Sequence, residues 1–409
     1  MSAIEGVKTM ELVVGEQTHV LKLPDSVIEI ADWEISQPVD ITAALENAFD
    51  HPIDFPPFSE AIVTDDRIAL AIEPGLPQMM EIVEGVVGYL LKHGAKPELI
   101  TVLLAHEHEP MAEPLAALLK KRADAAIDVR FHHGQDPESM GYLAAAHGAE
   151  PIYIDRALLE ADVVLPITCA RDPQAWAYAG LYGIVPWFTD GKTQQRWRYD
   201  YATEIRGNHE KRLRAAVEVA WLLGIQPVIA VVPGPKGNID SLFFGNADTV
   251  ERSIAAAIAP RSITPSTEQV DLLVCSIDGD QDQQTWDNVA RVLDMAEHFL
   301  RPTGIVAVIT ELNERPGPVF RRLSNLEDLE VTERHLLKSA HPQTLAAIEI
   351  YRAQSKYSIF MMSRLPGEQL EEFGIGAIAD IQELEHLIAS HESTLVISGA
   401  QHRRINRPR

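Results

Sequence analysis

The sequence predicts an α/β fold of two domains, with mainly parallel sheets flanked by helices and a ligand cleft between the domains. Short apolar runs alternate with amphipathic helical patterns along most of the chain, which is typical of a parallel sheet with helices on its faces. A chain of 409 residues is long enough for more than one core. The polar stretch "APRSITPSTEQ" at 259–269 then places a boundary near residue 265. The predicted domains are 1–264, a hairpin plus a Rossmann-like core, and 265–409.

The first domain is predicted to open with a hairpin, because two apolar runs flank Gly15-Glu16-Gln17 between Met10 and Pro24. The strand at 67–72 is a short apolar run, and the helix at 78–94 places Met79, Ile82, Val83, Val86 and Leu90 on one stripe. The predicted strands are 67–72, 99–105, 128–133, 151–155, 162–168 and 227–233, and the predicted helices are 78–94, 111–122, 136–148 and 212–224.

The second domain is predicted to repeat this pattern. "VDLLVCSIDG" at 270–279 is a strand that runs into a glycine, 282–300 is a helix, and "GIVAVITEL" at 304–312 is a strand. The basic end "RRINRPR" at 403–409 is expected to be a frayed terminus.

Composition excludes several classes of function. The chain has 35 Lys and Arg against 60 Asp and Glu, a net charge of −25, which disfavours nucleic acid as a partner. Its 2 cysteines form neither a disulfide framework nor a zinc knuckle. The sequence begins without a signal-peptide pattern and has no apolar stretch long enough to span a membrane. A soluble, cytoplasmic protein without a membrane partner is expected.

Polar loops follow the predicted strands. In open parallel sheets, ligands bind beyond the carboxyl ends of the strands, so these loops are the candidate site. They are 73–75, 106–110, 132–134, 170–174 and 278–284, all rich in carboxylate, amide or imidazole groups. This pattern predicts a small-molecule site in the cleft.

One of these loops reads "LLAHEHEP", and two interpretations stay open. On an extended segment, the side chains of His106 and His108 point to the same side, so both could bind one metal ion, with Glu73, Glu109 or His132 completing the site. The alternative is a polar loop that precedes the next helix.

The aromatic stretch between Trp176 and Tyr201 also has two interpretations. It could stack a nucleotide or another planar ligand, or it could pack over the domain junction or at a subunit interface. Packing is the favoured interpretation. Assembly into a homo-oligomer is left open.

The order of these motifs resembles the nickel-dependent lactate racemase (LarA-like) family. The segments that carry the resemblance lie between about Val13 and Thr310 and include "VVGEQTHVLKLP", "HPIDFPPFSE", "AIEPGLP", "LLAHEHEPMAEPL" and "YAGLYGIVPW". The resemblance implies an isomerase that racemises or epimerises a 2-hydroxy acid. It also implies a nickel pincer nucleotide, whose pyridinium ring is tethered to a lysine.

The resemblance assigns catalytic roles to a few positions. His108 aligns with a catalytic histidine of the family, and Glu73 stands near a family aspartate. Gln174 stands where a second catalytic histidine is expected. Trp286 and Asp287 stand where the family has Tyr-Gln, and all five residues are predicted to line the cleft. Arg171 or Arg291 is the candidate partner of the substrate carboxylate.

The chain departs from the family at the cofactor. Gly180 and Tyr182 belong to the glycine-rich segment, but the position of the tethering lysine falls on Tyr182 or Pro186. Lys192 and His209 are the nearby residues that could substitute for the lysine and for the nickel-binding histidine.

No histidine occurs at 198–201, where the family's nickel ligand is expected. The identity of any cofactor is therefore left unknown. The competing hypothesis is a noncatalytic or repurposed protein that binds a small molecule or a metal on the same scaffold.

Overall fold

The computed structural model describes residues 7–30, 39–123, 127–145, 151–203, 209–266, 268–321, 329–339 and 341–406. Within these ranges, the side chains of residues 106–108, 209, 211 and 329–332 are not described. No helix among the described residues is long and apolar enough to cross a membrane.

The first half of the chain alternates strands and helices as the sequence predicts. Its strands are β1 (Val7–Val14), β2 (Gln17–Pro24), β3 (Ile28–Ile30), β4 (Ile68–Ile72), β5 (Ile100–Leu104), β6 (Asp128–Phe131), β7 (Met140–Ala145), β8 (Pro151–Asp155), β9 (Val163–Cys169), β10 (Pro227–Pro233) and β11 (Ile239–Asn246). Its helices are α1 (Ile41–Asp50), α2 (Phe58–Ala61), α3 (Met79–Lys92), α4 (Ala112–Ala123), α5 (Arg156–Leu159), α6 (Gly191–Thr203), α7 (His209–Leu222) and α8 (Ala247–Ile258).

The second half is built in the same way. Its strands are β12 (Ser262–Ile263), β13 (Val270–Ser276), β14 (Leu300–Ile309), β15 (Ser358–Met362), β16 (Gly376–Ala377), β17 (Thr394–Ile397) and β18 (Arg404–Ile405). Its helices are α9 (Trp286–Ala296), α10 (Leu329–Leu336), α11 (Thr344–Gln354), α12 (Gly367–Glu371) and α13 (Ile381–Ala389).

Two six-stranded sheets organise the molecule, which confirms the predicted α/β class. The first sheet has the order β11-β10-β9-β4-β5-β6 and is parallel except for the β10–β11 pair. The second has the order β16-β15-β14-β13-β17-β3, and all its pairs are parallel. The strands β4 and β10 are buried along their whole length, as expected of central strands covered by helices on both faces.

The amino-terminal residues pack against the second sheet. The predicted hairpin β1–β2 forms, with Val14 paired to Gln17 across the turn, and Leu12 and Leu21 share a core with Leu272 and Val274 of β13. The strand β3 pairs in parallel with β17. The strands of the first sheet end by Asn246, and those of the second, apart from β3, begin at Val270, on either side of the boundary predicted near residue 265. The boundary itself stays a prediction.

The predicted helix at 136–148 is wrong. A short 3-10 turn (Pro137–Ser139) leads into β7, which pairs antiparallel with β8 outside the two large sheets. In this register Tyr142 lies across from Tyr153, with ring centroids 5.9 Å apart. A Cβ on Gly141 would lie 2.4 Å from Leu159 Cδ1, so the glycine permits α5 to pack closely on β7. Residues 146–148 lie outside the described ranges.

The predicted frayed end at 403–409 is also partly wrong. The strand β18 pairs in parallel with β12, and Asn406 N donates to Ile263 O at 2.9 Å. Arg404 Nε also lies 2.7 Å from Asp172 Oδ2, in the loop after β9. The carboxyl-terminal residues up to 406 therefore join the two halves of the chain.

Candidate functional site

Glu73 is the first residue after the buried strand β4, at the carboxyl edge of the first sheet. Its amide donates to Ile167 O at 3.0 Å, which extends the pairing of β4 with β9. The carboxylate is 5% exposed. Oε2 accepts from Cys169 N at 2.9 Å, and Oε1 accepts from Arg171 Nη1 at 3.3 Å. Burial raises the pKa of Glu73, while the positive charge of Arg171 opposes this shift.

Arg171 lies two residues after β9, the neighbour of β4, so the sheet places it beside Glu73. Its Nη2 donates to the carbonyl oxygens of Pro74 and Gly75, both at 3.3 Å. Gly75 has φ +74°, and a Cβ there would lie 2.8 Å from Arg171 Nη2. Glycine is therefore needed for the loop after β4 to enclose the guanidinium.

The second half contributes a carboxylate and another guanidinium from α9. Asp287 is in the first turn of this helix, and Arg291 follows one turn later. Arg291 Nη1 donates to Asn288 Oδ1, and its guanidinium carbon lies 5.9 Å from the centroid of the Trp176 ring. Its buried Nε has no hydrogen-bond partner among the described residues.

Charged side chains from the two halves of the chain shift each other's pKa values. Burial raises the pKa of Asp287, and the positive charges of Arg291, Arg171 and Arg198 oppose the shift. Burial, followed by the charge of Arg171, lowers the pKa of Arg291 to about 10. Arg291 nevertheless stays cationic at neutral pH.

We call these five residues the arginine cluster: Glu73, Arg171, Arg198, Asp287 and Arg291. Its guanidiniums concentrate positive charge in a chain whose net charge is −25. Such a local group of cations suits a small anion.

His402 was missed by the sequence analysis. It ends a short 3-10 segment (Ala400–His402) after β17, at the carboxyl edge of the second sheet. Burial, followed by the charges of Arg261, Arg171, Arg291 and Arg403, pushes the pKa of His402 well below its usual value. A neutral imidazole is therefore held near the arginine cluster. Its position five residues after the apolar run 394–397 was the available signal.

Gln174 and Trp286, two further predicted catalytic residues, lie in different surroundings. Gln174 is exposed and lines a small cavity together with Arg291 and Trp176. Trp286 is 1% exposed and packs on Phe320, with ring centroids 4.5 Å apart. Its Nε1 donates to Glu314 O at 3.0 Å. Trp286 thus lies in the core at the start of α9, while Asp287 faces the arginine cluster.

The predicted histidine pair has a different backbone from the one assumed. His106–Met111 is a 3-10 helix directly after β5, so the argument from an extended segment does not apply. The side chains of His106 and His108 lie outside what the structure describes, and their roles stay predictions. No group of three or more His, Cys, Asp or Glu among the described residues could hold a metal ion.

His132, a suggested third ligand, is engaged elsewhere. It is 1% exposed, and its Nδ1 lies 2.9 Å from Asp155 Oδ2. Its Nε2 lies 2.9 Å from the carbonyl oxygen of Thr189. Both ring nitrogens thus face oxygen atoms of the protein, and neither is directed at a metal ion.

The aromatic stretch packs inside the protein. The rings of Trp197 and Tyr201 stack with centroids 5.7 Å apart, and Tyr201 Oη accepts from Ala177 N at 2.9 Å. Trp176 meets Tyr201 edge-on at 6.3 Å and joins the same core as Trp286. These contacts favour packing at the junction of the two halves over a stacking surface for a ligand.

The predicted cofactor positions do not form one site. Gly180 has φ +98° and packs near Leu213 of α7. Tyr182 is half-buried, and the nearby charges that raise its pKa after burial are Asp248 and Glu251 of α8. Lys192 is exposed in the first turn of α6, where its amide donates to Asp190 Oδ1 at 3.0 Å.

These residues do not fit a lysine-tethered nickel cofactor. Buried Pro186 and half-buried Tyr182 have no amine, and Lys192 is exposed. At the position expected for the nickel ligand, Arg198 is 6% exposed and its charge acts on Asp287. A guanidinium repels a metal cation instead of binding it. The side chain of His209, the other suggested substitute, is not described.

Comparison with protein families identifies part of the chain. Residues 14–180 match the family described as the lactate racemase N-terminal domain. The match covers β4, β5 and β9 and therefore the loops that carry Glu73 and Arg171. None of the curated proteins compared matches the chain at a significant level.

Solved structures match over almost the whole chain. The lactate racemase apoprotein from Thermoanaerobacterium thermosaccharolyticum superposes with a TM-score of 0.74 at 12% identity, covering 98% of this chain and 100% of that chain. A structural-genomics protein from Thermotoga maritima gives a TM-score of 0.62 at 10% identity, covering 91% of this chain and 100% of that chain. At such low identities, these similarities show a shared fold. Residues 14–180 thus match the lactate racemase N-terminal domain, and the chain as a whole has the fold of the lactate racemase apoprotein.

Proposed function

We propose that this protein binds a 2-hydroxy acid at the arginine cluster and acts on it as a racemase or epimerase. The observation that carries the proposal is the nearness of two largely buried guanidiniums, Arg171 and Arg291, one of which keeps a buried Nε without a partner among the described residues. A guanidinium pairs with a carboxylate through two parallel N–H···O bonds, which fix both position and orientation. An incoming carboxylate would add a negative charge beside these two cations.

The N–H donors that Arg171 and Arg291 do not use within the protein support binding of a carboxylate there. Arg171 uses one Nη1–H on Glu73 and both Nη2–H groups on the carbonyls of Pro74 and Gly75, out of five N–H donors. Arg291 keeps a buried Nε without a partner among the described residues. Donors thus remain on both guanidiniums for an anion.

The acid–base groups nearby suit inversion at C2. Inversion removes the C2 hydrogen from one face and returns a hydrogen to the other, so it needs groups that exchange protons on both sides. Asp287 comes from the second sheet's side and Glu73 from the first, and burial raises the pKa of both. The guanidiniums stabilise the negative charge that grows on the carboxylate when C2 loses its proton.

A second candidate is a noncatalytic binding protein on the same scaffold. It is favoured by Pro186 or Tyr182 at the position of the cofactor lysine and by Arg198 near the position of the nickel ligand. In this case, the arginine cluster would hold the acid without inverting it.

Replacing Arg291 by leucine tests both candidates. We expect the affinity for a 2-hydroxy acid to fall about 10- to 100-fold, since a charge-assisted hydrogen bond contributes about 1.5–3 kcal/mol. Titration calorimetry of the full-length protein gives the affinity. Arg301→Leu is the matched control, because Arg301 is half-exposed and pairs with Asp271 away from the cluster.

Chiral chromatography of a single enantiomer incubated with the protein separates the candidates. Binding with inversion of C2 supports the racemase, and binding without inversion supports the noncatalytic protein. If no acid binds, or if Arg291→Leu binds as well as the wild type, both candidates fail.

A further inference from the structure

A second cavity adjoins the arginine cluster on the side of α8. It lies between this helix and the loop that follows β9, and its volume is about 250 Å³. We call it the side pocket and define it by Arg171 at one end and by Tyr178, Leu181, Ile254, Ala255 and Ile258 along its walls. A cavity needs only about 10–15 Å³ to hold one water molecule, so the side pocket has room for a group of several heavy atoms.

The walls of the side pocket are mainly apolar. Ile254 and Ile258 are one turn apart on the buried face of α8, and Leu181 comes from the loop after β9. Glu251 and Arg252 line the opening, on the exposed face of the same helix. The cavity is therefore polar at its two ends and apolar between them.

Arg171 is the cation at the inner end of the side pocket. At the opening, the carboxylate of Glu251 and the guanidinium of Arg252 offset each other in charge. Arg171 also belongs to the arginine cluster, so a carboxylate bound there would lie next to the apolar walls. Apolar ligand atoms gain free energy when they leave water for such walls.

We infer that the side pocket receives the apolar side chain of a 2-hydroxy acid whose carboxylate pairs with Arg171. The inference rests on the proposed function and specifies its ligand class: 2-hydroxy acids with a branched aliphatic or aromatic side chain, in preference to lactate. The methyl group of lactate would leave most of the side pocket unfilled.

A ligand series measures this preference. Calorimetric titration of the full-length wild-type protein with lactate, 2-hydroxyisovalerate, 2-hydroxyisocaproate and 3-phenyllactate gives the four affinities. The affinity should increase from lactate to 2-hydroxyisovalerate and again to 2-hydroxyisocaproate. Each buried methylene strengthens binding by about fourfold, so 2-hydroxyisocaproate should bind at least about 10-fold more tightly than lactate.

Filling the side pocket should abolish this difference. In Ala255→Trp, the indole would occupy the space between α8 and Leu181, so 2-hydroxyisocaproate should bind no more tightly than lactate. Ala256→Trp is the matched control, because Ala256 is exposed on the same helix and does not line the side pocket. Thermal midpoints of both variants establish that they are folded.

The outcomes separate this inference from the proposed function. Equal affinity for lactate and 2-hydroxyisocaproate, with binding still dependent on Arg291, overturns the side-pocket assignment and leaves the proposed function standing. A preference that survives in Ala255→Trp also overturns it. Failure of every acid in the series to bind overturns both.

Discussion

Replacing Arg171 by methionine should lower the free energy of unfolding by about 3–5 kcal/mol, the usual cost of removing one partner from a buried ion pair. Methionine keeps much of the length of the side chain but removes its charge. Glu73 would then keep the Cys169 amide and lose its paired cation, and the carbonyl oxygens of Pro74 and Gly75 would lose their donor. Guanidinium chloride denaturation followed by circular dichroism measures the change.

Two further variants show whether the uncompensated charge of Glu73 causes the loss of stability in Arg171→Met. Glu73→Gln added to Arg171→Met should recover part of the loss, because glutamine keeps an acceptor for Cys169 N without a charge. Arg214→Met removes the exposed pair with Glu210 and should cost less than about 1 kcal/mol. A loss in Arg171→Met no larger than in Arg214→Met would contradict this account of the cluster.

Ionisation of the Asp282 carboxyl group should lower the free energy of unfolding as pH rises from about 4 to 7. Burial, followed by the charges of Asp280 and Glu81, raises the pKa of Asp282 from 3.8 to about 7. A carboxyl group with a raised pKa in the folded state stabilises the fold fully below its unfolded pKa, and this contribution is lost as pH rises through the folded pKa. The effect is on the order of 2–4 kcal/mol.

Replacing Asp282 by asparagine should remove this pH dependence and stabilise the protein at pH 8. Denaturation midpoints measured from pH 4 to 8 give the difference between the wild type and the variant at each pH. Asp25→Asn serves as the control, since Asp25 is exposed in the turn after β2. The explanation would be refuted if the curves of the wild type and Asp282→Asn stayed parallel over this range.

The alternation of strands and helices was predictable because local patterns carry it. The strand β4 is a continuous apolar run buried along its whole length, and α3 shows a helical stripe that ends before Gly94, which has φ +91°. The segment 136–148 was misassigned because "YLAAA" suits a helix locally. Its pairing with β8 and the packing of Gly141 against Leu159 determine the strand instead.

The candidate site was predictable in part. Position at a strand end singled out Glu73, and the resemblance singled out Asp287. The contribution of His402 was not predictable from local sequence, because His402 lies more than 200 positions from Arg171 along the chain. The strand order β14-β13-β17 brings it close enough for the charge of Arg171 to lower its pKa. At Arg198, the sequence indicated only a missing histidine, while the structure adds a buried cation that acts on Asp287.

The pairing of β3 with β17 has a consequence for biosynthesis. The strand β3 is among the first segments to leave the ribosome, and its partner, Thr394–Ile397, is among the last. At about 5–20 residues per second, the interval is roughly 20–70 s. During this time the first sheet can form, since its strands end at Asn246, and the hairpin β1–β2 can pack on β13, while β3 has no partner strand. We therefore expect nascent chains stalled before Thr394 to expose residues 28–30 to proteases and chaperones.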